Sequence, residues 1–168
     1  MTIVSNGLLV LDANVFIEAR KRYYAFDICP AFWDSLLAEH GSGNIISIDR
    51  VRDELMDVEI SAWIASKVPA DCWDDTKTHP VAHSYAQMIA WVQANQQFTA
   101  AAKAEFASVA DGWLVAYAHS NNCTVVTEEK FIANIKKRVP IPNVCDAFSV
   151  PYMDTFDMLR TLGCRFTS

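Results

Sequence analysis

Four carboxylates in this 168-residue sequence stand where a strand stops or a helix starts, Asp12, Asp111, Glu128 and Glu129, and a fifth, Glu54, lies within a helical stretch. Asp12 ends the apolar run Leu8-Leu9-Val10-Leu11. A short continuous apolar run fits a strand buried on both faces, so Asp12 falls at its carboxyl end, where open α/β sheets form their ligand crevices. Asn14 follows two residues later. Glu54 lies in Ser47-Ile-Asp-Arg-Val-Arg-Asp-Glu-Leu55. At about 100° per residue, Val51, Leu55 and Val58 share one helix face, Glu54 edges towards it, and Asp53 and Asp57 point away. Asp111 opens the helical stretch that continues from Gly112, where an acid suits the helix dipole and can also face the strand ends. Glu128 and Glu129 follow the strand-like Thr124-Val-Val-Thr127. Carboxylates brought this close repel one another unless a cation is present, and hard oxygen donors select Mg²⁺ or Mn²⁺ over zinc.

The elements that must position these acids can be read from apolar spacing and punctuation. Strands are expected at 8–11, 44–47 and 124–127, with an edge strand at 141–144 because Pro142 cannot donate to a ladder. Helices are expected at 30–40, led by Pro30, and at 48–56, capped by Ser47. Further helices are expected at 59–67, 81–93, 99–109 and 112–120, with a basic helix end at 132–139. A last helix at 154–162 stops at Gly163. Residues 68–80, with two prolines, read as irregular. Strands alternating with helices imply an α/β domain with a mainly parallel sheet.

Length suggests a single domain over 1–168, and a hydrophobic content of 52% supplies a core. The net charge of −6 excludes a protein that coats nucleic acid by bulk charge. Five cysteines, with no C-x-x-C pair, argue against a disulfide framework or a cysteine zinc site and for reduced thiols in a cytoplasmic protein. No basic leader precedes an apolar segment, and no apolar run reaches membrane-spanning length. His79 and His83 are four apart, a spacing that can bind metal on a helix, but Pro80 follows His79 and no carboxylate lies between them.

The ordered set Asp12, Glu54, Asp111 and an acid two residues after Thr127 resembles the PIN-domain ribonucleases, including their toxin members, over residues 8–166. The segments 23–30 and 158–166 look like a less-studied PIN-like subgroup. The resemblance implies a three-layer α/β/α domain with a mainly parallel central sheet. It implies a metal-dependent endoribonuclease in which Asp12, Glu54 and Asp111 hold a first Mg²⁺ or Mn²⁺ and Glu129 helps with a second. Two such ions about 4 Å apart activate a water and stabilise the leaving oxygen of a phosphodiester. The family mostly carries Asp where this chain has Glu129, one methylene longer, and Glu128 stays open as the fourth acid. A haloacid-dehalogenase-type phosphatase would need a second acid where Asn14 stands, and a receiver domain would need an Asp and a Lys that are not evident.

The resemblance further implies the toxin half of a toxin–antitoxin pair, with an antitoxin protein as partner. The alternatives are a housekeeping RNA-processing nuclease and a PIN fold used only for binding. Arg20, Lys21, Arg22 and Tyr23, just downstream of Asp12, interleave positive charge and aromatic rings and are candidates to contact RNA. Phe32-Trp33 and Trp63-Ile64 are expected to leave apolar surface exposed, which with the family's habit of pairing suggests a homodimer.

Overall fold

The computed structural model describes residues 7–166. Five parallel strands form one sheet in the order β3-β2-β1-β4-β5. They are β1 (Leu9–Leu11), β2 (Ile45–Ile48), β3 (Trp73–Asp74), β4 (Thr124–Val126) and β5 (Tyr152–Met153). All three residues of β1 are buried, as the uninterrupted apolar run requires. Chain order runs outwards to β3 on one side of β1 and to β5 on the other. The order therefore reverses between β1 and β4, the place where an α/β sheet opens a crevice at its carboxyl edge.

Helices enclose this sheet in a three-layer α/β/α fold. They are α1 (Ala13–Glu18), α2 (Pro30–Gly41), α3 (Asp49–Glu54), α4 (Val58–Lys67), α5 (His79–Ala94), α6 (Ala100–Ser108), α7 (Asp111–Asn121), α8 (Ile141–Ala147) and α9 (Thr155–Leu162). A π-helical turn, Ala19–Tyr23, extends α1. The last helix follows the sequence closely: Asp154 caps it by accepting from Asp157 N–H at 2.8 Å, and Gly163 ends it at φ +72°. All five cysteines are free thiols. Among the described residues no helix is long and apolar enough to cross a membrane.

Several local expectations are overturned. Residues 141–144 form the start of α8, not an edge strand. Pro142 sits in the first turn, where its missing N–H is no loss, and Ile141, Val144 and Cys145 are fully buried. Residues 132–139 contain no helix. Asn143 grips Ile132 from both sides, accepting from its N–H at 3.2 Å and donating to its carbonyl at 2.9 Å. Gln97 and the Thr99 N–H hold the carbonyls of Ile135 and Lys136. Ser47 caps nothing: it lies in β2 and donates to the Leu11 carbonyl at 2.7 Å, while Asp49 begins α3. The irregular stretch hides the edge strand β3. Phe32 and Trp33 are buried rather than exposed, and Trp63 and Ile64 are half-buried. Phe26 stacks on Trp33 at 4.0 Å and Tyr24 on Phe32 at 4.5 Å, while the indole donates to the Tyr24 carbonyl at 2.7 Å.

Candidate acidic site at the sheet's carboxyl edge

Asp12 follows β1 directly, and its backbone N–H donates to the Val126 carbonyl at 2.9 Å, so the ends of β1 and β4 are fastened side by side. The residue occupies the N-cap position of α1, yet its side chain makes no cap hydrogen bond. Its Oδ2 instead accepts from the Thr127 hydroxyl at 2.9 Å, and the carboxyl group is almost wholly buried. Turn and cap chemistry therefore does not account for this acid.

Asp111 enters from the first turn of α7. Gly112 lets that turn come close to its neighbours: a Cβ there would stand 3.0 Å from both the Phe106 ring and the Tyr85 ring. Glu54 ends α3, and its Oε2 accepts from the Ala110 N–H at 2.7 Å, which ties α3 to the start of α7. Glu129 lies two residues after Thr127, and its own N–H donates to the Thr127 hydroxyl oxygen at 3.1 Å. Its Oε1 accepts from the Ile141 N–H at 3.0 Å and stands 3.1 Å from an Arg138 terminal nitrogen.

These four acids and Asn14 line a single cavity of about 230 Å³. Glu128 turns away. It accepts from the Thr155 N–H at 3.2 Å and from the Thr155 hydroxyl, docking α9 instead of facing Asp12.

The electrostatics record the convergence. Burial pushes Asp12 up from 3.8 to about 7, and repulsion from Glu129 and then Glu54 adds to this against the Thr127 hydroxyl and the Ala13 N–H. Burial likewise pushes Asp111 up to about 8, with repulsion from Asp12, Glu129 and Glu54 against the attraction of Arg138. Two acids so raised, with three more carboxylates, Glu54, Glu105 and Glu129, on the same cavity, form an all-oxygen donor set whose repulsion a hard divalent cation relieves. The residue chemistry thus fits Mg²⁺ or Mn²⁺. Among the described residues, no group of three or more His, Cys, Asp or Glu side chains is arranged to hold a metal ion as it stands. Glu54 and Glu129 are drawn aside by the Ala110 N–H and by Arg138 with the Ile141 N–H.

A second cavity, of about 460 Å³, adjoins the first and shares Asn14, Glu129 and Arg138 with it. Of the four basic and aromatic candidates, Arg22 and Tyr23 line it. Arg20 points elsewhere, paired with Asp57 at 3.2 Å and Glu59 at 2.8 Å on α4. Lys21 borders a further hollow beside Met56, which shares Ile17 and Glu54 with the acidic cavity. His79 and His83 lie exposed on α5. Two residues that shape the site went unassigned in the sequence. Thr127 served only to mark the strand end, and Arg138 belonged to a basic run read as a helix tail.

The family model described as a domain of unknown function (DUF4411) matches residues 9–166. No curated protein matches the sequence. Among solved structures, the chain is similar to the crystal structure of FitAcB from Neisseria gonorrhoeae, with a TM-score of 0.51 and 19% sequence identity, covering 87% of this chain and 96% of that one. At that identity the likeness speaks for the fold.

Proposed function

We propose a function for a chain that belongs to the DUF4411 family and has a PIN-like fold: it is a metal-dependent endoribonuclease that hydrolyses RNA phosphodiester bonds. The observation that carries this reading is the meeting of Asp12 and Asp111, both raised by burial and by the charges of Glu129 and Glu54, with those two acids on one cavity at the β1–β4 crevice. Asp12, Glu54 and Asp111 would hold one Mg²⁺ or Mn²⁺, and Glu129 would serve a second. When bound, such ions supply an activated water and charge stabilisation for the leaving oxygen. The Thr127 hydroxyl holds Asp12 in place through its Oδ2. Asn14, half-buried on the rim shared by two cavities, can orient Asp12 or a water. Arg138, now paired with Glu129, can turn to a substrate phosphate once the acid is otherwise neutralised. The test is cleavage of single-stranded RNA with Mn²⁺ by the parent and by Asp12→Asn, with thermal unfolding of both.

The biological setting that the PIN-like fold supports best is the toxin of a toxin–antitoxin pair, with a cognate antitoxin as partner. A housekeeping RNA-processing nuclease is the alternative. Expression of the gene alone separates them: growth arrest that needs Asp12 marks a toxin, and normal growth with active protein marks a housekeeping enzyme. Pairing as a homodimer stays part of the proposal. Its support is the exposure of Met56 and Val58, at 81% and 83%, between α3 and α4 beside the acidic cavity. Light scattering reads it against the 18.8 kDa chain mass.

One observation favours a second reading, a PIN-fold binding module without catalysis: among the described residues no metal-holding group is arranged as it stands. The cleavage assay separates the two, because a binding module retains RNA without shortening it.

A further inference from the structure

The acidic cavity is the middle of a longer groove. On one side it shares Asn14, Glu129 and Arg138 with the hollow that ends at the exposed rings of Tyr23 and Phe156, an edge-on pair 5.6 Å apart. On the other it shares Glu54 and Val109 with a third cavity of about 230 Å³, lined by Arg50, Ser108, Trp113 and Asp53, the last paired with Arg52 at 3.2 Å. At the Tyr23–Phe156 end exposed rings can stack on unpaired bases, whereas both faces of Trp113 are taken, by Tyr85 and by the Arg50 guanidinium, so that end offers charge rather than a stacking surface.

The cations along this groove differ in one respect. Arg22 is paired with Glu18 at 2.7 Å, Lys130 with Asp154 at 3.7 Å and Arg138 with Glu129 at 3.1 Å. Among the described residues no carboxylate lies within ion-pair distance of the Arg50 guanidinium. It is nonetheless held. Its carbon lies 3.9 Å over the Trp113 ring, and that ring stacks on Tyr85 at 3.7 Å. Its Nε donates at 2.8 Å to the Thr76 hydroxyl oxygen, and the buried Thr76 hydroxyl donates at 2.8 Å to Asp49. The fork is fixed at its stem and on its flat face. Its two terminal nitrogens find no acceptor among the described residues, and the cavity lies beside them. Those donors face solvent and are available to a ligand. A guanidinium left open and preorganised matches the bidentate geometry of a phosphate.

We infer that Arg50 is a substrate-positioning residue, whose guanidinium takes a backbone phosphate of single-stranded RNA on the α6–α7 side of the acidic centre. This rests on the nuclease reading. It adds a direction to it: the strand runs from the Tyr23–Phe156 end, across Asp12 and Asp111, to Trp113.

The test is steady-state cleavage of a short fluorescein-labelled single-stranded oligoribonucleotide with Mn²⁺, read as KM and kcat over a range of salt concentrations. Arg50→Gln should raise KM about tenfold while kcat changes far less, since one charge-assisted contact is removed from binding. The fall of log(kcat/KM) with log salt should become shallower by about 0.7, one phosphate contact on a single strand. Arg50→Lys should restore most of the salt slope. Ser108→Glu, which leaves Arg50 and its stem untouched, sets a carboxylate on the same cavity and should raise KM at low salt and lose that effect at high salt. It keeps the test open if Arg50→Gln folds poorly. Parental KM and salt slope in these variants, with the parent active, overturn the role of Arg50 and leave the nuclease reading standing. A parent that cleaves no RNA overturns both.

Discussion

The Thr127 hydroxyl donates to Asp12 Oδ2 at 2.9 Å and accepts from the Glu129 N–H at 3.1 Å. One side chain at the end of β4 thereby positions the acid that follows β1 and the acid that follows itself. Thr127→Val keeps the shape and removes both bonds. It leaves a buried carboxyl group without its donor and should cost about 1–3 kcal/mol of stability. RNA cleavage should fall at least tenfold, and Thr127→Ser should recover most of both losses. Parental turnover in the valine variant would remove Thr127 from the site.

The raised acids make stability depend on pH with a definite sign. Asp12 at about 7 and Asp111 at about 8 both bind protons more tightly folded than unfolded, where each sits near 3.8. Their contribution is complete below the unfolded value and is lost as pH rises through the folded values. In metal-free buffer the parent should therefore lose Tm between about pH 5 and pH 8, relative to Asp111→Asn, which removes one charge from the cluster. Added Mg²⁺ should raise the parental Tm at pH 8 far more than at pH 5. Parallel Tm curves for parent and variant would contradict the mutual repulsion.

Glu128 and Glu129 are adjacent in sequence and separate in role. Glu129→Gln should depress RNA cleavage about a hundredfold with little change in Tm, because the amide oxygen still accepts from Ile141. Glu128→Ala should instead lower stability by about 1–2 kcal/mol, since Thr155 at the start of α9 loses its acceptor. The reverse pattern would make Glu128 the fourth acid.

Gly112→Ala tests how Asp111 reaches the cavity. The new methyl carbon would sit 3.0 Å from the rings of Phe106 and Tyr85, so those rings or the start of α7 must give by a few tenths of an ångström. The expected loss is about 1–3 kcal/mol, with a disproportionate drop in cleavage as Asp111 moves. A variant with parental Tm and turnover would show that the approach is slack.

Three of the acids that the fold brings onto one cavity were legible because each stands at a local signal: Asp12 after an apolar run, Asp111 at a helix start, Glu129 two residues past a Thr. The fold class was legible from the alternation of elements. What the sequence hid depends on distant partners. The loop at 132–139 is basic enough to suggest a helix end, but Asn143, Gln97 and Thr99 hold its backbone from other parts of the chain. Ile141 to Val144 has the composition of a strand, yet burial on every side and Pro142 in a first turn make it α8. Ser47 precedes a helix in sequence, and the Leu11 carbonyl in the neighbouring strand claims its hydroxyl. Arg50 shows its character only when Thr76 and Trp113 fold onto it.

The most direct measurement is hydrolysis of single-stranded RNA by the purified parent and by Asp12→Asn, with Mg²⁺ or Mn²⁺ and with chelator, alongside thermal unfolding of each. The account predicts cleavage by the parent that needs the divalent ion, and loss of cleavage in an Asp12→Asn protein at least as stable as the parent at pH 8. Cleavage that persists in Asp12→Asn, or that ignores the chelator, would contradict it.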